Sequence, residues 1–267
     1  MNRLLPLGTD AATRAWLAVA CFMLAATLVL VPAAMIDART LEGVNVWTKP
    51  VKFSTSLALH FATLALLLQL VSPAARGGRM LVRFVQISVA AALFEIVYIG
   101  FQALRGRPSH FNFDTGFETG MYALMGIGAT LLVVTPFVLG LVLLRQRDGD
   151  RSGLKLGAVL GLLAAPVLTF LVTAYMSGVV YSRWVGVAPP DAAGMPVLGW
   201  SREVGDLRPA HFVALHAVQV LPFVGWLGDR FAPAHARAAV WAAAVLTVAA
   251  TAALFVQALA GQPLWPR

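Results

Sequence analysis

Seven runs of predominantly apolar residues, each broken from the next by a short polar stretch, recur at roughly 14–36, 51–72, 80–104, 121–145, 154–182, 210–230 and 236–260. A helix of about 20 apolar residues crosses the ~30 Å hydrocarbon layer of a bilayer. Each run therefore predicts one spanning helix, and the fold class is all-α: a polytopic transmembrane helix bundle forming a single integral membrane domain over residues 1–267. Arg3 and Arg14 precede the first run and small residues follow near Pro32-Ala33-Ala34, as in a signal peptide. That run is too long for an ordinary signal-peptide core, which predicts a retained helix. Pro136, Pro166 and Pro222 fall inside predicted helices and predict kinks.

Composition sharpens this picture. With 59% hydrophobic and 12% charged residues and a mean hydropathy of +0.79, the chain cannot hide its apolar surface in a water-soluble globule. The net charge of +8 comes from basic residues in the short connections. That distribution suits anionic lipid headgroups and topology signals and argues against nucleic acid as a partner. A single cysteine, Cys21, lies in an apolar run and excludes a disulfide framework, a CxxC pair and covalent haem attachment.

One side of the membrane collects Arg3, Arg14, Arg76, Arg79, Arg83, Arg145, Arg147, Arg151, Lys155, Arg230 and Arg237. The other carries Arg39, Lys49, Lys52, Arg105, Arg107, Arg183, Arg202, Arg208 and Arg267, with Asp37, Glu42, Asp114, Glu118, Asp191, Glu203 and Asp206. The excess of Lys and Arg places the first side, with the N-terminus, in the cytoplasm and the C-terminus outside. Trp47, Trp184, Trp200 and Trp265 would mark the outer interface, and Trp16, Trp226 and Trp241 the inner one. The outer connection 183–209, rich in proline and glycine (Pro189, Pro190, Gly194, Pro196, Gly199), reads as an irregular lid.

Several spans carry polar groups that hydrocarbon penalises by several kcal/mol unless they are paired. On the second, Lys52, Ser56 and His60 follow at four-residue steps and form a stripe. On the third, Ser88, Glu95, Tyr98 and Gln102 share one narrow face. A carboxyl group in that setting is neutral, paired with a cation or bound to a metal. The sixth carries His216 and Gln219 on one face, with His211 nearer the interface. Counting about 1.5 Å per residue from the predicted helix ends, His60, Glu95 and His216 fall about 12, 13 and 10 Å deep, in one layer of the outer half. Above them Lys49, Lys52, Arg105, Arg107, His110, Asn112, Arg208 and His211 predict a basic vestibule for a phosphate, carboxylate or propionate. The alternative is that these residues snorkel, hold headgroups or pair with Asp114, Glu118 and Asp206. On the fifth span Gly157, Gly161, Ala165, Thr169, Thr173 and Ser177 repeat at four-residue spacing, the pattern of close helix packing.

The segments NVWTKPVKF, RGRPSHFNF and DLRPAHFVALHAVQVLP, which cover the second, third and sixth helices with their outer loops, resemble a family of uncharacterised polytopic bacterial inner-membrane proteins. The resemblance implies the multi-helix fold and a bacterial inner membrane. Ser56-x-x-x-His60 is similar to part of the pattern of seven-helix zinc-dependent membrane hydrolases of the ceramidase type. Those carry a HxxxH pair on the last helix, where this chain has no histidine.

Three functions fit these features. The first is a non-covalent b-type haem for membrane redox chemistry, with a quinone as a partner. His60 and His216 would be axial ligands, and Glu95, Gln219, Tyr98 and Gln102 would line the site. The second is a proton-linked transporter or receptor for a small anionic or lipid-like ligand, with Glu95 and His216 carrying the proton and the basic residues capturing the ligand. The third is a zinc-dependent lipid hydrolase using His60, His216 and Glu95. No nucleotide-binding loop or serine-hydrolase elbow is present in the sequence.

Overall fold

Apolar length, with polar turns that satisfy the helix ends, sets the architecture. The computed structural model describes residues 8, 10–41, 43–187, 194–195 and 198–266. Among them are seven helices long and apolar enough to cross a membrane. They are α1 (Ala11–Ile36), α2 (Thr48–Leu67, continued by a 3-10 turn to Leu70), α3 (Arg79–Leu104), α4 (Gly116–Arg145), α5 (Gly153–Gly178), α6 (Arg208–Phe231) and α7 (Ala236–Leu259). The protein is an all-α membrane-spanning helical bundle. Arg3, Glu42, Pro189, Pro190, Asp191, Pro196 and Arg267 lie outside the described residues. Two compact units make up the chain, Met1–Val142 and Leu143–Arg267.

In the first unit, α1 and α2 are tied together at both ends. Asp10 caps α1 by accepting from Thr13 N and Oγ1, and Arg76 reaches Asp10 at 3.1 Å and Gln69 at 2.8 Å. At the opposite end Asp37 accepts from Arg39 and from the Trp47 indole at 2.8 Å, bonds that hold its carboxyl well below the usual carboxylate range. A two-rung hairpin, β1 (Thr40–Leu41) with β2 (Val44–Asn45), delivers the chain to α2, whose entry is fixed by Trp47 N donating to Asn45 Oδ1. Tryptophan here serves as a strut. Trp16, expected at an interface, is fully buried and donates to Ser88 Oγ at 3.1 Å, and Trp47 is buried with Val46 and Ala103.

The second unit is built on close backbone approach. A β-carbon on Gly157 of α5 would lie 2.2 Å from the Leu221 carbonyl of α6, and one on Gly161 would lie 2.6 Å from that of Ala217. Only hydrogen fits, as a small-residue seam between membrane helices requires. The first four members of the predicted stripe, Gly157 to Thr169, are buried; Thr173 is half-buried and Ser177 exposed. Asp229 of α6 accepts from Gly153 N (2.7 Å) and Leu154 N (2.8 Å), so one helix supplies the anionic cap of the other. The part of the 183–209 connection that is described folds back through β3 (Trp184–Val185) and β4 (Gly205–Asp206). Gly205 sits against the Ala258 carbonyl of α7. Pro32, Pro136, Pro166 and Pro222 are all accommodated within continuous helices.

Candidate functional site: a buried carboxyl in the first unit

The polar face predicted on α3 is buried along its length: Ser88, Glu95, Tyr98 and Gln102 are each at most 4% exposed. Its upper part is finished by the 105–115 turn. Arg107 N donates to the Gln102 carbonyl and Gly106 N to that of Ala103, with Gly106 at φ 65, a left-handed cap that glycine adopts without strain. The turn brings Pro108 O over the helix end, where Gln102 Nε2 (3.2 Å) and Asn112 Nδ2 (2.9 Å) both donate to it. Gln102 also donates to the Tyr98 hydroxyl at 2.9 Å and accepts from Arg105. Tyr98, Ile99 and Met125 then pack as one cluster with Phe53, Phe94 and Met121.

Three carboxylates are buried among the described residues, and two of them are paired with arginines. Glu118 Oε2 accepts from Arg107 Nη2 at 3.0 Å and from the Thr115 hydroxyl at 2.7 Å, and Oε1, without a hydrogen bond, is in ion contact with Arg107 Nε at 2.7 Å and with Arg105 at 3.5 Å. Asp206 takes Arg208 Nε and Nη2 together with the backbone N–H groups of Ser201 and Arg208. Glu95 differs. It is 1% exposed, neither of its oxygens has a hydrogen-bond partner, and Oε1 would lie 2.8 Å from a β-carbon placed on Gly128 of α4. Gly128 thus leaves the space the carboxyl fills.

His110 closes this region from the turn. Its ring lies 5.7 Å from Phe53 and 6.2 Å from Tyr122, and Nδ1 is 3.2 Å from Ser109 Oγ. Burial, reinforced by Lys49, holds its pKa well below the ordinary 6.5. A histidine kept neutral in the fold but free to protonate when unfolded makes the unfolded state bind more protons as pH falls below 6.5. Stability is therefore complete above that pH and declines beneath it, by up to about 1.4 kcal/mol per pH unit, until the folded form also protonates. Melting in detergent should drop between pH 7.5 and 5.5, and His110→Gln should flatten the drop. An equal drop in the variant would remove His110 as its source.

The other predicted residues fall as follows. The vestibule arginines Arg105, Arg107 and Arg208 each face a carboxylate, and Asn112 serves the turn. Arg107 also meets Asp114 at 2.8 Å. Lys49 lies 5.8 Å from the Phe53 ring, and Lys52 is half-buried. The buried stripe of α2 runs through Ser54, Leu57, Phe61 and Leu64, so His60 is half-buried beside it with its ring edge-on to Phe61 at 5.4 Å, and Ser56 is exposed. Because α2 begins at Thr48, with Pro50 in the first turn, His60 is twelve residues in, roughly 18 Å, against roughly 13 Å for Glu95 from the end of α3. In the second unit His216 Nδ1 lies 2.8 Å from Phe212 O, with the Phe212 ring 4.0 Å away. His211 and Gln219 are half-buried, and neither His211 Nδ1 nor Gln219 Oε1 has a hydrogen-bond partner. No three of the described His, Cys, Asp and Glu side chains gather as a metal-holding group.

The pairing of Glu118 with arginines is the alternative the sequence offered, whereas the Asp229 cap carried no signal there. Thr115-x-x-Glu118 carries the capping-box spacing that signals the true start of α4. Asp229 acts across 76 residues and leaves no local signal. No family model, curated protein or solved structure matches the chain.

Proposed function

We propose that this chain is a proton-linked transporter or receptor for a small anionic or lipid-like ligand, with Glu95 as the proton-binding group, working in a bacterial inner membrane with the N-terminus cytoplasmic. The observation that carries the reading is Glu95 itself: a carboxyl 1% exposed whose oxygens both lack hydrogen bonds, in a unit where the equally buried Glu118 is paired with two arginines. A group left so costly to ionise is one whose charge state is put to use.

The chemistry follows from charge balance. An ionised Glu95 repels an anionic group brought close to it. A proton on Glu95 removes that repulsion and lets an anionic group bind. Proton and anion bind together, and each raises the affinity for the other. Arginines already held by carboxylates need no part in this. Adding candidate monocarboxylates and alkyl phosphates to weakly buffered, detergent-purified protein should give proton uptake close to one per bound ligand. Glu95→Gln should bind with no uptake; unchanged uptake in that variant would overturn the reading.

A second reading rests on His216. The short contact of Nδ1 with a carbonyl of its own helix fixes the tautomer and leaves Nε2 as the free donor atom, the form in which imidazole binds iron. On α6, His216 would hold a b-type haem through Nε2, and the haem would supply one-electron redox chemistry. Purified protein would then show a Soret band lost in His216→Ala, and colourless haem-supplemented protein would dismiss it.

A further inference from the structure

An apolar groove of about 430 Å³ runs between α5, α6 and α7 within the second unit, walled by Leu160, Ala164, Leu168, Leu221, Trp241 and Val245 among others. Along α7 its lining extends from Trp241 to Ala249, eight residues or roughly 12 Å of helix, close to the ~15 Å thickness of one leaflet's hydrocarbon. Trp241 and Val245 are 52% and 64% exposed, so the groove opens sideways along these helices.

The end of the groove nearest Trp241 is cationic. Arg237 stands one turn before Trp241 on the same face of α7 and donates to the Arg151 carbonyl at 3.3 Å, which places Arg151 beside it at the head of α5. The carboxylates of this end are engaged elsewhere. Asp229 caps α5, and Asp148 is held well below the usual carboxylate range by Lys155, with which it is paired, and by Gln146. Asp150 accepts from Ser152 N. Neither Arg151 nor Arg237 is in an ion pair among the described residues.

An apolar trough one leaflet deep, headed by two arginines, matches a molecule with a hydrocarbon chain and an anionic phosphate. We infer that the α5–α7 groove is a binding site for one anionic phospholipid, its acyl chain along Trp241 and Val245 and its headgroup phosphate on Arg151 and Arg237. The site lies wholly in the second unit and does not depend on the role of Glu95. Basic pockets between membrane helices hold anionic headgroups by the same electrostatics.

Trp241 supplies the reporter. Full-length protein is reconstituted in phosphatidylcholine vesicles containing increasing fractions of brominated-chain phosphatidylglycerol or brominated-chain phosphatidylcholine. The quenching assigned to Trp241 is that of the wild type minus that of Trp241→Phe. Half-quenching should need about thirtyfold less of the anionic lipid, since each of the two arginines near the headgroup contributes about 1 kcal/mol and about 1.4 kcal/mol is tenfold. Arg151→Gln/Arg237→Gln should abolish the preference, and Ala244→Phe, which fills the groove from α7 without touching the arginines, should abolish it too. Arg237 is exposed and the Arg151 contact uses its backbone, so the charge variants should fold. Equal quenching by the two lipids would overturn the assignment. So would a preference that survives the arginine changes, or one that survives with the groove filled, which would assign it to surface charge alone.

Discussion

Gly157→Leu should cost about 3 kcal/mol or more and appear as a large loss of folded protein, because its β-carbon has only the Leu221 carbonyl, 2.2 Å away, to move into. The obstacle is backbone on an adjacent helix, not the end of a mobile side chain. Separation of α5 from α6 would also pull Gly153 and Leu154 from the Asp229 carboxylate that caps them. Gly126→Leu is the control: it lies in α4, is exposed, and has nothing within 4 Å of the added β-carbon. Glycine in a helix interior costs stability relative to leucine, so this change should be neutral or mildly stabilising. Thermal unfolding followed by fluorescence in one detergent compares the two, and similar melting would refute the seam.

The second large effect belongs to Glu118. Glu118→Gln removes the charge that two arginines and a hydroxyl surround, and leaves Arg105 and Arg107 facing each other at the head of α4. Melting should fall by about 5 °C or more. Pairing it with Arg107→Gln should cost less than the two single changes added together, since the partners act as a unit. Glu95→Gln should behave oppositely and melt at or above the wild-type temperature, because no partner is lost and a charge is removed from a site without hydrogen bonds. Two carboxylates, each 1% exposed, thus separate by function. One holds the fold, and the other is held by it.

How much of this was legible depends on the range of the interaction. The seven spans were readable because twenty apolar residues in a row have one solution in lipid. The buried face of α3 was readable because Ser88, Glu95, Tyr98 and Gln102 are spaced at helical steps, and the α5 seam because small residues recur every four. Depth was less so. Counting the depth of His60 from Lys52 instead of from the start of α2 at Thr48 leaves out four residues, roughly 6 Å, and makes it match Glu95. The vestibule residues left two readings open, a ligand site or pairing with Asp114, Glu118 and Asp206, and only the turn at Gly106 and the fold of Asp206 show that Arg105, Arg107 and Arg208 each meet a carboxylate. Trp16 likewise carries an interfacial residue type into a fully buried position because Ser88 offers its indole a partner.

The claim on which the rest depends is that Glu95 takes up and gives back a proton inside the first unit. Infrared difference spectra between acidified and alkaline samples of the purified protein read this directly, through the carbonyl stretch of a protonated carboxylic acid in a dry setting. The wild type should show a reversible band that is absent from Glu95→Gln and unchanged in Asp114→Asn, a solvent-exposed carboxylate. A spectrum identical in wild type and Glu95→Gln would contradict the account.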